Sequence, residues 1–94
     1  MKIVECLWKE QFVEKLERKH RVFTDEVEEV FSNPPRFDFV SKGDFAGENF
    51  YRALGRTDAG RYLVVFFVYK GGGKALPVSA RDMDKKERRI YGKK

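Results

Sequence analysis

The order of apolar and polar residues in the first third of the chain predicts a short strand followed by two helices. Residues 2–7 alternate loosely, as an edge strand does, whereas residues 9–19 carry apolar side chains at helical spacing. This first helix is expected to end at His20. Thr24 has the side chain of a helix N-cap, and the Asn-Pro-Pro run at 33–35 stops the second helix because proline cannot continue one.

From Arg36 to Ser79 the pattern changes to the period of two that is typical of strands. Turns that contain glycine separate four predicted strands. The strands are the alternating run that starts at Arg36, then Asn49–Arg56, Tyr62–Tyr69 and Leu76–Ser79, and the turns are expected at 42–44, 46–47, 57–60 and 71–73. The third of these strands is a continuous apolar run, which indicates a central strand with both faces covered.

The segment from Ser79 to the end of the chain predicts a capped helix that is rich in cations. Ser79 and Asp82 have the spacing of a capping box, so the helix is expected to start at Ala80. The segment carries seven Lys or Arg against three Asp or Glu. Such a concentration of positive charge usually serves an anionic partner, and nucleic acid is the commonest polymeric anion.

Helical phase separates the charged and apolar residues of this last helix. At about 100° per residue, Arg81, Lys85 and Arg88 fall on one stripe. Met83 and Ile90 lie on the opposite side and are expected to dock the helix on the sheet. The cations would then face outward.

The element order, β-α-α-β-β-β-β-α, predicts a small α+β domain with an antiparallel sheet. Residues 1–94 are expected to form this single domain, with residues 91–94 as a disordered tail. The helices are expected to cover one face of the sheet. A partner protein is then needed to cover part of the other face of the central strand.

Composition narrows the class of partner and of site. Lys and Arg number 20 and Asp and Glu number 15, so the formal net charge is +5, which favours an acidic partner where the positive charge is localised. The one cysteine, Cys6, excludes an internal disulfide and is expected to be a buried, inert thiol. With a single histidine as well, the chain lacks the four Cys or His ligands of a structural zinc site, and we expect no metal or other cofactor.

The sequence argues against a nucleotide-binding loop and against a membrane-spanning or secreted protein. The Gly-Gly-Gly-Lys run at 71–74 lacks the spacing of a phosphate-binding loop and precedes a predicted strand rather than a helix. No segment approaches the ~20 apolar residues that span a bilayer, and the first seven residues become charged too early for a signal peptide. We therefore expect a cytoplasmic protein that does not bind a membrane.

His20 is the first candidate for proton transfer. Imidazole is the side chain that gains and loses a proton near neutral pH, and the neighbouring Lys19 and Arg21 favour its neutral, base-competent form. The alternative is a structural role, in which His20 interacts with the dipole at the C-terminal end of its helix.

Charged residues around the predicted second strand are candidates for binding phosphate. Glu48 and Arg52 are four residues apart, so they share a face of the sheet if both lie on one strand. Arg56 and Arg61 flank the next turn. Guanidinium groups bind phosphate as planar, two-pronged donors. The alternative for the first pair is a surface salt bridge between Glu48 and Arg52, which would stabilise the fold little.

The C-terminal helix contributes the remaining candidates. Arg81, Arg88 and Arg89 would bind phosphate groups or stabilise a phosphorane, or they would form a solvated helix face. Tyr91 would stack on a base or pack at the rim of the helix.

Several blocks of the sequence together resemble the BrnT family of toxins from type II toxin–antitoxin systems. No single block is specific, but their order and spacing from Trp8 to Tyr91 are. The blocks are Trp8 with the following helix, Arg18-Lys19-His20, Phe23-Thr24-Asp25-Glu26 with Val30-Phe31-Ser32-Asn33-Pro34, Gly47-Glu48 with Arg52, Leu54-Gly55-Arg56, Gly60-Arg61-Tyr62-Leu63-Val64-Val65, Val78-Ser79-Ala80-Arg81, and Glu87-Arg88-Arg89 with Tyr91.

The resemblance implies a RelE-like fold and a metal-independent endoribonuclease that inhibits translation. It also implies a cognate, BrnA-like antitoxin, and it is compatible with a dimer within the toxin–antitoxin complex. Catalytic roles are implied for Lys19, His20, Glu48, Arg52 and Arg81. Roles in RNA binding are implied for Arg18, Arg56, Arg61, Lys85, Arg88, Arg89 and Tyr91.

Metal-independent RNA cleavage requires three kinds of group, and the sequence offers candidates for each. A base takes the 2′-hydroxyl proton, cations stabilise the phosphorane, and an acid protonates the leaving 5′-oxygen. His20 is the candidate for base or acid, and Glu48 is a base or orients Arg52. The candidate phosphate ligands are Lys19, Arg52, Arg81 and Arg88.

The sequence departs from the family pattern in two places, and two other functions stay open. Arg21 stands where the family tends to have glycine, and the segment between Pro35 and Gly47 is rich in Phe rather than acidic. The first alternative is a non-catalytic module that binds nucleic acid through the same basic face. The second is an inactive relative that binds an antitoxin or another partner protein.

Overall fold

A computed structural model describes residues 1–43 and 48–93 of the chain. The predicted element order, β-α-α-β-β-β-β-α, is confirmed. The elements are β1 Glu5–Cys6, α1 Glu10–His20, α2 Thr24–Ser32, β2 Arg36–Ser41, β3 Phe50–Arg56, β4 Tyr62–Tyr69, β5 Lys74–Asp82 and α3 Lys85–Gly92. The turn predicted at 46–47 and the end of the turn predicted at 42–44 lie outside the described residues.

The five strands form one sheet in the order β1-β5-β4-β3-β2. Strands β2 to β5 are antiparallel to their neighbours, as predicted, whereas β1 pairs with β5 in parallel. The sheet is therefore mixed. Strand β4 lies in the middle and has fully buried side chains on both of its faces, among them Leu63 and Val64, which confirms the prediction from its continuous apolar run.

Helices α1 and α2 cover one side of the sheet, called here the helix face. The main core lies between these helices and the sheet. Its members include Leu16 from α1, Val22 from the turn after it, Val27 and Val30 from α2, and Leu63, Val65 and Phe67 from β4. Gly55 allows α2 to approach β3 closely, because a Cβ atom there would lie 2.9 Å from Cγ1 of Val30.

Helix α3 lies on the opposite side of the sheet, called here the α3 face. Leu54, Val64 and Met83 form a second buried cluster there, against which Ile90 and Tyr91 of the helix pack. The expectation that the helices cover a single face is therefore wrong for α3. Docking of this helix through Met83 and Ile90 is confirmed, but on the side away from α1 and α2.

The boundary between β5 and α3 differs from the prediction. Ser79 and Asp82 pair with Phe66 and Leu63 of β4, so this part of the chain is strand and not the start of a helix. The helix begins at Lys85 and is capped by Asp84, whose carboxylate accepts a hydrogen bond from the backbone of Glu87 at 2.7 Å. Two capping-box spacings occur in this segment, and pairing with β4 decides between them.

Two consequences follow for residues near this boundary. Arg81 belongs to β5, so it cannot share a helical stripe with Lys85 and Arg88. Tyr91 and Gly92, which were expected in a disordered tail, form the end of α3 instead.

The connection between α1 and α2 is a tight turn. Arg21 follows α1 with φ 52° and ψ 42°, the left-handed conformation that favours glycine, and its N–H donates to the carbonyl of Glu17. The N-cap of α2 is Phe23 rather than Thr24, which is the first helical residue. The carboxylate of Glu26 accepts the N–H of Phe23 at 3.1 Å and so satisfies this helix end.

None of the helices in the described part of the chain is both long and apolar enough to cross a membrane.

Candidate functional site

An arginine of β5 and a glutamate of α3 meet on the α3 face. Nη1 and Nη2 of Arg81 donate to Oε1 and Oε2 of Glu87 at 2.7 and 2.8 Å. Oε1 also accepts the backbone N–H of Asp84 at 2.9 Å. Glu87 is only 5% exposed, so it is a buried carboxylate held by a two-pronged guanidinium.

Two more arginines extend this group across the sheet. Arg52 of β3 donates from Nε to Oδ2 of Asp38 at 3.1 Å, and its Nη1 lies 3.6 Å from Oε2 of Glu87. Arg36 donates from Nε to Oδ1 of Asp38 at 3.2 Å. We call Arg36, Asp38, Arg52, Arg81 and Glu87 the arginine–carboxylate cluster.

The cluster carries three guanidinium groups against two carboxylates, so it keeps an excess of positive charge. The hydrogen bond from Arg81, opposed by burial, lowers the pKa of Glu87, and the same bond raises the pKa of Arg81. Both groups therefore stay ionised at neutral pH. A guanidinium has five N–H donors, so Arg52 and Arg81 retain donors that could bind a phosphate.

A second ionic group, called here the Arg61 group, lies at the ends of α1 and β5. Arg61 donates to Oδ1 of Asp82 at 2.8 Å and to Oε1 of Glu26 at 3.1 Å. It also donates to the backbone carbonyls of Arg21 at 2.8 Å and His20 at 3.2 Å. One side chain thus joins the end of α1, the start of α2 and the end of β5.

The structure separates the five residues predicted to be catalytic. Arg52 and Arg81 come together through Glu87, whereas Lys19 and His20 lie at the end of α1, on the helix face. His20 lies close enough to Asp82 to contribute electrostatically, after Arg61, to lowering the pKa of that carboxyl. Glu48 pairs with Lys70 at 2.6 Å, so the alternative of a Glu48–Arg52 salt bridge is wrong.

The residues predicted to bind RNA fall into four places. Arg61 is held in the group named after it, and Arg18 is exposed on α1. Lys85 and Arg89 are exposed on α3. The others surround Tyr62: the guanidinium carbon atoms of Arg56 and Arg88 lie 4.6 and 4.1 Å from its ring centre, and the ring of Tyr91 meets it edge-on at 6.1 Å.

The sequence model of a family described as "Ribonuclease toxin, BrnT, of type II toxin-antitoxin system" matches residues 8–87. The chain belongs to the BrnT family. The matched region contains the whole arginine–carboxylate cluster and ends at Glu87. No match was found among curated proteins.

The fold agrees with this membership. The crystal structure of the Brucella abortus ribonuclease toxin BrnT is similar to this chain, with a TM-score of 0.62 and 21% sequence identity. The similarity covers 87% of this chain and 99% of that one. Membership of a type II toxin family implies an RNA target and an antitoxin partner for this BrnT-family chain.

Sequence reasoning did not select the acidic members of the cluster as site residues. Glu87 carries one available signal, since it stands three residues after Asp84 as the second member of a capping box. Asp38 carries a weaker one, since it alternates with Phe37 and Phe39 and so belongs on the other face of β2. Neither signal shows that the carboxylate would hold an arginine.

Two further features of this BrnT-family domain concern metal binding and its cysteine. Within residues 1–43 and 48–93, no group of three or more His, Cys, Asp or Glu side chains is arranged to hold a metal ion. Burial, with smaller contributions from Glu28 and Glu5, raises the pKa of the half-buried Cys6 thiol to about 12. This thiol is therefore a poor nucleophile at neutral pH.

We expect the stability of the domain to fall as the pH drops below about 4.5. Ion pairing lowers the pKa of Glu87 from its ordinary 4.5, mainly through Arg81, and that of Asp82 from 3.8, mainly through Arg61. Between these ordinary values and the lowered ones, the unfolded chain binds protons that the folded chain does not, so acid favours unfolding. Urea unfolding midpoints at pH 7, 5, 4 and 3 measure the effect.

The matched variant for this prediction is Glu87→Gln, which removes one of the two titrating groups. Its stability should be lower at pH 7 but should change less between pH 5 and pH 3 than that of the parent. Identical acid sensitivity in the two proteins would show that Glu87 is not a source of the pH dependence.

Proposed function

We propose that this chain is a metal-independent endoribonuclease toxin in which Arg52 and Arg81 bind the scissile phosphate. The observation that supports this most is their convergence, from β3 and β5, on the buried carboxylate of Glu87. Two guanidinium groups held in this way are preorganised to stabilise the charge of a phosphorane. The family of ribonuclease toxins to which the chain belongs supports the choice of RNA as substrate.

The proposed reaction is attack of the 2′-hydroxyl on the adjacent phosphorus. A base removes the hydroxyl proton as the new P–O bond forms, and an acid protonates the 5′-oxygen as the old P–O bond breaks. The products are an RNA end with a 2′,3′-cyclic phosphate and one with a free 5′-hydroxyl. No metal ion is needed, because the arginines carry the positive charge that offsets the phosphorane.

His20 and Lys19 are the proposed sources of proton transfer. Asp82, beside His20, directly follows Arg81 in β5, and successive strand residues point to opposite faces. We therefore propose that the RNA bends around the end of β5, so that the phosphate held on the α3 face and the ribose hydroxyl beside His20 belong to the same nucleotide step. Glu87 is a weak base here because Arg81 lowers its pKa. Glu48 is the alternative base, acting from the segment before β3.

The biological consequence of this activity is inhibition of translation by destruction of RNA in the cytoplasm. A cognate, BrnA-like antitoxin is proposed to neutralise the toxin, with toxin dimers within the complex. The exposed cations of α3 and the net charge of +5 favour an antitoxin segment with acidic side chains.

The activity is tested by incubating the purified chain with a defined RNA in the presence of EDTA. We expect cleavage that is blocked by 2′-deoxy substitution at the cut site and that leaves a 2′,3′-cyclic phosphate. His20→Ala and Arg52→Gln should each lower the rate at least about 100-fold. Lys15→Gln, which removes an exposed cation of α1, is the control for net charge and should cleave at the parental rate.

Two results would contradict the proposal. Cleavage that disappears in EDTA and returns with Mg²⁺ would exclude a metal-independent reaction. Binding without any cleavage product would favour the alternative of a non-catalytic module, in which each removed cation makes the salt dependence of binding shallower. Induced expression with and without a neighbouring antitoxin reading frame tests the biological part, and growth arrest that the second gene relieves is the expected result.

A further inference from the structure

Two arginines on the α3 face, Arg56 and Arg88, have different partners from those of the arginine–carboxylate cluster and the Arg61 group. Arg36, Arg52, Arg61 and Arg81 each form an ion pair with a carboxylate. Arg56 and Arg88 form no such pair with any described residue, and both guanidinium groups lie over the ring of Tyr62. Their positive charge is therefore available to a ligand without loss of an ion pair.

A cavity of about 520 Å³ opens beside these residues. Arg56, Tyr91 and Pro34 give it flat, partly apolar walls, and Asp58 and the backbone of Gly60 also line it. Asn33 donates to Oδ1 of Asp58 at 2.8 Å, which fixes this carboxylate and leaves its second oxygen as an acceptor.

Tyr62 supports two walls of the cavity. The guanidinium of Arg56 lies over its ring, and the ring of Tyr91 stands edge-on against it. Tyr62 is itself half-buried in the cluster with Leu54 and Val64, so its position is fixed by the sheet. We call Arg56, Tyr62, Arg88 and Tyr91 the Tyr62 stack.

The chemistry of this place fits one unstacked nucleotide. Planar guanidinium and aromatic surfaces stack on a base, a carboxylate oxygen and a carbonyl accept its N–H groups, and unpaired arginines bind the adjoining phosphate. Bases within a duplex are stacked on each other and cannot enter such a cavity. We propose that the Tyr62 stack and its cavity form a subsite for one nucleotide of single-stranded RNA.

This inference rests on the proposed function for its substrate, and it adds a requirement for unpaired RNA. Arg56 lies four residues beyond Arg52 on the same face of β3, about 13 Å along the strand. A short single-stranded segment could therefore occupy this subsite and the arginine–carboxylate cluster together. Tyr62 is a positioning residue in this arrangement, whereas Arg56 and Tyr91 contact the nucleotide.

The test compares binding of a 2′-O-methyl oligonucleotide, which cannot be cleaved by 2′-attack, as a single strand and as a duplex. The parent should bind the single strand at least about tenfold more tightly. Arg56→Gln and Tyr62→Leu should each weaken single-strand binding about tenfold, and Tyr62→Phe should bind as the parent does because it keeps the ring. Lys15→Gln is the control that shows how much affinity is lost when one exposed positive charge is removed.

Circular dichroism of each variant shows whether it is folded. If Tyr62→Leu does not fold, Arg56→Gln still tests the proposal, because Arg56 is exposed and its replacement is not expected to unfold the domain. Equal affinity of the parent for single strand and duplex would overturn the proposal. The proposal would also be overturned if Arg56→Gln lowered the affinity for single strand and duplex by the same factor. Arg56 would then contribute only a general electrostatic attraction to RNA.

These outcomes are separable from failure of the proposed function. If the subsite is absent, the parent still cleaves RNA in EDTA but does not distinguish single strand from duplex. If the ribonuclease proposal is wrong, cleavage is absent while the preference for single strands in the binding assay persists.

Discussion

Replacing Arg81 and Glu87 together by methionine is expected to lower the rate of RNA cleavage at least about 100-fold while the domain keeps most of its stability. The rate falls because a cation of the proposed phosphate site is lost. Stability is largely kept because neither member of the pair is left without its partner, and methionine fills a similar volume. Urea unfolding measures the stability, and cleavage of a labelled RNA measures the rate.

The two single replacements should cost unequal amounts of stability. The side chain of Glu87 is 7% exposed and that of Arg81 is 37% exposed. Arg81→Met therefore leaves a mostly buried carboxylate that keeps only the N–H of Asp84 and the more distant Arg52, at a cost of about 3 kcal/mol. Glu87→Met leaves a guanidinium that water can solvate in part, at about 2 kcal/mol.

The double replacement is also the control for these interpretations. If its loss of stability equals the sum of the two single losses, the pair is not coupled, and the geometry of the cluster does not explain the stability. If it cleaves RNA at the parental rate, Arg81 is not a phosphate ligand. Lys15→Met, an exposed replacement on α1, should change neither measurement.

Arg61→Met is expected to destabilise the domain by about 3 kcal/mol and to lower its melting temperature by about 10–20 °C. Its side chain is 27% exposed and has charged or carbonyl partners on three elements, including Asp82, Glu26 and the carbonyl of His20. Its loss leaves all of these groups without their donor. Thermal unfolding followed by circular dichroism measures the change.

The matched control for this prediction is Arg56→Met, on the same β-hairpin. Arg56 is exposed and donates only a long, 3.5 Å hydrogen bond to the carbonyl of Gly60, so its replacement should cost less than about 1 kcal/mol. Arg61→Lys keeps the charge but not the forked geometry, and it should recover less than half of the loss. Equal stability of the Arg61 and Arg56 variants would contradict the proposed role of the Arg61 group.

The sequence was sufficient for the elements that local pattern controls. The continuous apolar run of β4, the prolines after α2 and the turn at 57–60 each have a local physical cause, so the order of elements could be predicted. The start of α3 could not, because Ser79 and Asp84 both begin a capping-box spacing. Ser79 pairs with Phe66 of β4, so the segment after Ser79 is a strand and not a helix. This pairing is a tertiary interaction, which the local sequence does not show.

The candidate site was predictable in part, for a related reason. Alternation along a strand shows which residues share a face, but not which helix covers that face. Arg52 and Arg81 were selected for their charge, and the structure brings them together. His20 and Glu48 are candidates of the same kind, but they lie elsewhere. His20 ends α1, which packs on the helix face, and Glu48 lies in the segment before β3. The partners Asp38 and Glu87 depend on the three-dimensional arrangement alone.

The parallel pairing of β1 with β5 also sets an order for folding. Strands β2 to β5 are joined by short connections and can pair as each one is made, whereas Glu5 must wait for Lys74, which lies near the other end of the chain. Glu87 is made later still. A ribosome that synthesises this protein therefore holds an unfinished arginine–carboxylate cluster until the first turn of α3 has been made, so the proposed phosphate site cannot form before the strands that carry Arg52 and Arg81 are complete.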